Sequence, residues 1–250
     1  MQISSKTCLI TGGTSGIGAA TANLFAERGA NIAVMARSCR RGPIEQLEQS
    51  VGSSGGKFLF IQADAGLASD CTRAVAETHA AMGGLDILVH AAGSPAPGGL
   101  MDVSEIDWQR AFNVHVHAVY WLCRAAVPLI RKNGEGAIIL VASAAGLRGC
   151  AGALAYGVVK GALPQFARSL ARELADDNIR INCISPGVVR TPFQSLLTPE
   201  QVHNNVQKRI PLHREGRPEE VAALIAALVT NDFITGENVI IDGGMSMRMA

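Results

Sequence analysis

Short, continuously apolar runs alternate with longer stretches of helical spacing along the whole chain, and this alternation restricts the fold more than any other feature of the sequence. Runs such as Cys8-Leu9-Ile10 and Ile138-Ile139-Leu140-Val141 have no polar position in every second place. Both faces of each such strand must therefore be buried. Strands buried on both faces and joined by helices form a parallel sheet with helices on either side. Seven strands are expected, at 7–11, 31–36, 57–63, 86–90, 137–143, 180–185 and 238–242, in one open sheet. No linker, repeat or low-complexity segment divides the chain, so residues 1–250 are expected to form a single domain.

Two expected helices, 104–130 and 153–175, are apolar almost all round, with Phe112, Val116, Val119, Trp121, Leu122 and Val127 in the first. A helix apolar on two sides needs a sheet behind it and a second cover in front, which implies a homotetramer or homodimer. The charged groups balance at a net +1, so no overall field attracts nucleic acid or an anionic membrane surface. The longest apolar runs fall well short of the roughly 20 residues that span a bilayer, and Met1 to Ile10 has no signal-peptide pattern. A cytoplasmic protein is expected. The cysteines at 8, 39, 71, 123, 150 and 183 are dispersed with no C-x-x-C, which argues against a disulfide framework and against zinc. Nor do His115 and His117, two apart on a helix, share a face that could hold a metal.

Chemistry concentrates where strands end. After the first strand comes Thr11-Gly12-Gly13-Thr14-Ser15-Gly16-Ile17-Gly18, opening the helical run 19–28. Glycines there allow a tight turn and close backbone approach, and the helix N-terminus presents free N–H groups to a pyrophosphate. The second strand ends Ala36-Arg37 with no carboxylate to receive ribose hydroxyls, and Arg40 and Arg41 follow. A guanidinium suits a 2′-phosphate, so NADP is expected over NAD, with NAD as the alternative if Arg37 is simply a solvated strand end. Asp64, past the third strand, either caps its loop or bonds an adenine amino group.

Tyr156 and Lys160 stand four apart and share a helix face, where an ammonium lowers a phenol's pKa toward neutrality. Ser143 emerges at the end of the fifth strand, where open α/β sheets bind ligands, and its hydroxyl could hold a substrate oxygen.

Taken together, the chain resembles the short-chain dehydrogenases/reductases from about Lys6 to Gly244. Thr11 to Gly18 is similar to that family's TGxxxGxG, His90-Ala91-Ala92-Gly93 to its NxAG, Ser143, Tyr156 and Lys160 to its catalytic set, and Pro186 to Thr191 to its PGxVxT. The resemblance implies a Rossmann-type, doubly wound fold and a nicotinamide cofactor contacted through Gly12, Thr14, Ser15 and Ile17, through Ala92 and Gly93, and through Pro186 and Thr191. It makes Tyr156 the general acid/base and gives Ser143 the polarisation of the carbonyl. Lys160 then tunes Tyr156 and bonds the nicotinamide ribose, Asn113 holds a relay water, and Thr191 bonds the carboxamide. His90 replaces the family's usual Asn.

Substrate choice is expected in 94–101, 147–153 and a flap within 187–213. Leu147, Cys150, Leu154, Phe193 and Leu197 make those segments apolar, Cys150 as a wall and not a nucleophile, while Arg148 and Arg190 are candidates for an anionic group. The expected function is hydride transfer between NADP(H) and a ketone or secondary alcohol, in 3-oxoacyl, sugar or polyol substrates. The alternatives are an NAD-preferring enzyme of the same kind or a catalytically silent cofactor binder. A P-loop nucleotide enzyme is excluded, because Thr14-Ser15-Gly16-Ile17 lacks the lysine.

Overall fold

A computed structural model describes residues 1–38, 41–194 and 197–247, and of Arg41 the backbone alone. Arg40 and the Arg41 side chain, both weighed as partners of a 2′-phosphate, lie outside what is described. In chain order the elements are β1 (Thr7–Thr11), α1 (Gly16–Glu27), β2 (Asn31–Ala36), α2 (Arg41–Ser53), β3 (Phe58–Gln62), α3 (Ala68–Met82) and β4 (Ile87–His90). They continue with α4 (Glu105–Phe112), α5 (Ala118–Ile130), β5 (Gly136–Val141), α6 (Leu154–Leu174), β6 (Ile179–Pro186), α7 (Pro199–Asn204), α8 (Pro218–Thr230) and β7 (Asn238–Ile241). The seven strands pair in parallel in the order β3-β2-β1-β4-β5-β6-β7.

Alternate residues of the central strands feed two separate cores. Leu9, Leu88 and Ile138 pack with Leu122 and Leu163 on the side of α3, α5 and α6. Ile10, Val89 and Ile139 pack with Phe25, Ile225 and Val229 on the side of α1 and α8. This two-sided burial is the physical reason for the unbroken apolar runs. The strand order reverses between β1 and β4, where Thr11 lies beside His90. A crevice opens there, at the carboxyl ends of the strands, and ligands of such sheets bind in it.

The helix expected over 104–130 runs without a break from Glu105 to Ile130, but it is locally widened: a π-turn at Asn113–His117, in which the Ala118 N–H reaches the Asn113 carbonyl, lies between α4 and α5. The second face of α6 also finds part of its cover within the chain, since Trp108, Phe112 and Val116 pack against Ala155 and Val159. Tyr120 and Val158 still expose 48% and 43% of their surface, so cover within the chain is incomplete. No helix among the described residues is long and apolar enough to cross a membrane.

Candidate active site

The crevice holds a cavity of about 730 Å3. One wall is the start of α1. Gly12 has φ +69°, and a Cβ on it would lie 2.9 Å from the Ala92 backbone; a Cβ on Gly18 would lie 2.4 Å from the Gly12 carbonyl oxygen. Only glycine lets the turn tuck beneath the helix at these two places. Ser15, Gly16 and Ile17 are thereby left on the cavity wall. No side chain caps α1, so the amides of its first turn and its positive dipole end are free for a ligand. Among the described lining residues there is no Asp or Glu to repel a pyrophosphate. A nicotinamide dinucleotide fits this cradle.

The opposite wall comes from β5 and α6. Ser143 leaves β5 extended, and its Oγ accepts the Ala145 N–H at 3.2 Å, which leaves the hydroxyl proton free to donate. Tyr156 and Lys160, one turn apart in α6, both reach the cavity. Lys160 is 5% exposed, and its Nζ donates to the Val141 carbonyl at 2.7 Å and lies 5.7 Å from the Tyr156 ring centre. Burial pulls the Lys160 ammonium down to about 8. The Tyr156 phenol is pushed above its usual value by burial, and the Ser143 hydroxyl offsets part of that rise. The expected lowering of Tyr156 by Lys160 is therefore corrected: here desolvation of the phenol dominates, and the ammonium is directed at a backbone carbonyl.

Two histidines back this wall. His115 meets the Tyr156 ring edge-on at 5.7 Å and 85°, with its Nε2 3.0 Å from the Ser94 carbonyl. His90 bridges two elements. The Ala92 N–H donates to Thr11 Oγ1, and that hydroxyl lies 3.0 Å from His90 Nδ1, while His90 Nε2 lies 3.1 Å from the Val114 carbonyl. With Oγ1 accepting from Ala92, its proton goes to Nδ1, and Nε2–H donates to Val114. Burial, with the Lys160 charge nearby, lowers His90 to about 3 and holds His115 well below the usual histidine value. Both rings are neutral at physiological pH.

Of the residues singled out in the sequence, Gly12, Ser15, Ile17, Ala92 and Gly93 line this cavity, as do Ser143, Tyr156, Lys160, Pro186 and Thr191. Thr14, Arg37, Asp64 and Asn113 lie off its lining. Asp64 Oδ1 accepts the Gly66 N–H at 2.8 Å, closing its own loop. The Asn113 side chain accepts from Gln109 at 2.9 Å. Cys150, Phe193, Leu197 and Arg148 line the cavity as expected, whereas Leu147 and Leu154 do not. Arg190 departs from expectation: its side chain is 82% exposed, pairs with Glu215 at 2.9 Å, and faces a separate depression with Arg214 and Arg217. Sequence reasoning missed Arg209, which lines the main cavity from the segment treated only as a variable flap. Its one sequence signal is the spacing Asn205-x-x-x-Arg209, which places an amide oxygen one turn from the guanidinium.

Comparison with known proteins agrees with this architecture over nearly the whole length. A family model described as enoyl-(acyl carrier protein) reductase matches residues 12–246. The chain is 34% identical to dehydrogenase/reductase SDR family member 4 of Oryctolagus cuniculus over 251 residues, covering 99% of this chain and 96% of that protein. It is also 34% identical to the 3-oxoacyl-(acyl-carrier-protein) reductase of Chlamydia pneumoniae over 246 residues, covering 96% and 97%. Among solved structures, L-sorbose reductase from Gluconobacter frateurii, complexed with NADPH and L-sorbose, superposes with a TM-score of 0.90 at 31% identity, covering 100% of this chain and 99% of that one. The cleft at the strand-order reversal, the glycine turn beneath α1 and these full-length matches have one reading: the chain belongs to the short-chain dehydrogenase/reductase family of oxidoreductases.

Proposed function

We propose that this protein is an NADP(H)-dependent oxidoreductase that interconverts a ketone and a secondary alcohol, with residues 1–250 acting as one cofactor-binding and catalytic domain and the segment 187–213 covering the substrate. The observation that carries this reading is the convergence of Ser143, Tyr156 and Lys160 on the cavity into which the uncapped start of α1 opens. When bound, the nicotinamide supplies or accepts the hydride. Gly12, Ser15 and Ile17 hold the pyrophosphate end with Thr14 beside them in the turn, Ala92 and Gly93 the adenosine side, and Pro186 and Thr191 the carboxamide; Asp64, whose Oδ1 closes its own loop, reaches the adenine only through its other carboxylate oxygen. In the direction of reduction, the free Ser143 hydroxyl proton bonds the substrate oxygen and stabilises the negative charge that develops on it. Tyr156 delivers the proton to that oxygen; a phenol whose pKa is raised by burial stays protonated at neutral pH and is ready to act as the acid. Lys160, close to its own pKa near neutrality, bonds the ribose and replenishes the Tyr156 proton through a water held at Asn113.

The choice of NADP rests on Arg37, an exposed guanidinium beyond β2 that has no carboxylate partner among the described residues, and accords with the NADPH held by the L-sorbose reductase. The test is turnover of a panel of ketones, their alcohols and an enoyl thioester with each cofactor. Oxidation of NADPH by ketones supports the proposal; reduction of the enoyl thioester alone, or no turnover with any compound, contradicts it.

A further inference from the structure

Beyond the reacting groups, the cavity carries charge that carbonyl chemistry does not use. Arg148 and Arg209 both line it, and among the described residues neither forms an ion pair. Each is nonetheless held. Arg209 Nη1 donates to Asn205 Oδ1 at 2.8 Å, and Asn205 is itself only 6% exposed. Arg148 Nη2 donates to the Ser246 carbonyl at 3.1 Å. The loop that offers this carbonyl is fixed by Asp242, whose carboxylate accepts the Gly244 N–H at 2.9 Å and the Ser246 N–H at 2.7 Å.

A guanidinium anchored through one nitrogen to a neutral acceptor keeps its charge and most of its donors for something else. Two such groups line one cavity that has no Asp or Glu among its described lining residues, and each is held ready to bind an anion. The same cavity also has an apolar part. The Phe193 ring lies 5.8 Å from the Tyr156 ring, and Leu197, Pro95 and Ala96 complete that stretch.

We infer that the substrate is a ketone or alcohol carrying a carboxylate or phosphate at the end away from the reacting carbon, bound by Arg209 and Arg148. This rests on the oxidoreductase reading above, which places the carbonyl at Ser143 and Tyr156. Neither cation is matched by a carboxylate on the described cavity wall, and an anionic end on the substrate would supply that match. Each charge-assisted contact is expected to favour the anionic ligand about 10- to 100-fold.

The experiment uses the protein loaded with NADP+ for calorimetric Kd values, and NADPH for kcat/KM, on two matched pairs: levulinate against methyl levulinate, and dihydroxyacetone phosphate against dihydroxyacetone. The anionic member of at least one pair should be preferred at least about 10-fold, and the pair with the larger ratio distinguishes carboxylate from phosphate. In Arg209→Gln and in Arg148→Gln, the latter at an exposed position that leaves the core untouched, the ratio should fall toward one. Ratios near one in both pairs, no detectable binding of any member, or ratios unchanged in both variants overturn the inference. Preference for an anion in Kd without NADPH oxidation would instead count against the oxidoreductase reading while leaving the anion site standing.

Discussion

Lys160 shows how a residue proposed to serve the site can oppose stability. Its ammonium is buried, and burial lowers its pKa from 10.5 to about 8. Below pH 8 it is charged in both the folded and the unfolded chain, and the fold then bears a cost of about 3 kcal/mol. Between about 8 and 10.5 the unfolded chain holds the proton that the folded one has lost, so this cost disappears as pH rises. Lys160→Met removes it but leaves the Val141 carbonyl unpaired, at about 1–2 kcal/mol. Urea melts should therefore find the variant at least as stable as the wild type at pH 7 and less stable near pH 10.5, with turnover lost throughout. Arg37 acts by charge in the opposite sense. It should favour NADP over NAD about 10- to 100-fold in Kd, and Ala36→Asp with Arg37→Ala should reverse that preference by placing a repelling carboxylate where the guanidinium stood. Titration of both cofactors against both proteins checks it, and equal wild-type affinities would show that Arg37 points to solvent.

At the level of elements, the strands were legible because burial on both faces leaves an unmistakable mark: β1 and β2 have the expected limits. The start of α1 was less so, at Gly16 in place of residue 19, because a glycine turn carries no helical periodicity of its own. The π-turn before α5 was not legible at all. A single extra residue in one turn barely shifts the spacing of apolar positions, and the partner that engages its carbonyl, His90, is more than 20 residues away in sequence. The cluster of Ser143, Tyr156 and Lys160 could be read from motif spacing, whereas the place of Arg209 on the cavity could not, since it depends on where a flap folds. His90 also makes the π-turn sensitive to acid. With its pKa lowered from 6.5 to about 3, it contributes stability that is full above pH 6.5 and is lost as pH falls toward 3, at about 1.4 kcal/mol for each pH step of one within that window. His90→Asn should make the decline in unfolding free energy shallower across the same range; an unchanged slope would show that His90 can be charged within the fold.

For the whole molecule, the half-exposed apolar residues that remain on α5 and α6 are expected to close against further copies of the chain in a dimer or tetramer. Light scattering at micromolar concentration should report such an assembly, and a monomer would show that the cover α4 gives to α6 is sufficient. On the function proposed above, the two-sided sheet, the crevice at its strand-order reversal and the uncapped helix beside it would serve one chemical end, the transfer of a proton by Tyr156 to an oxygen held by Ser143. The most direct measurement is kcat for NADPH-dependent ketone reduction by Tyr156→Phe, taken together with the variant's Kd for NADPH. A fall in kcat of about 10²–10⁴-fold with Kd nearly unchanged is predicted, because the phenolic proton is removed and the ring is kept. A variant that retains most of its kcat would contradict the assignment of Tyr156 as the acid.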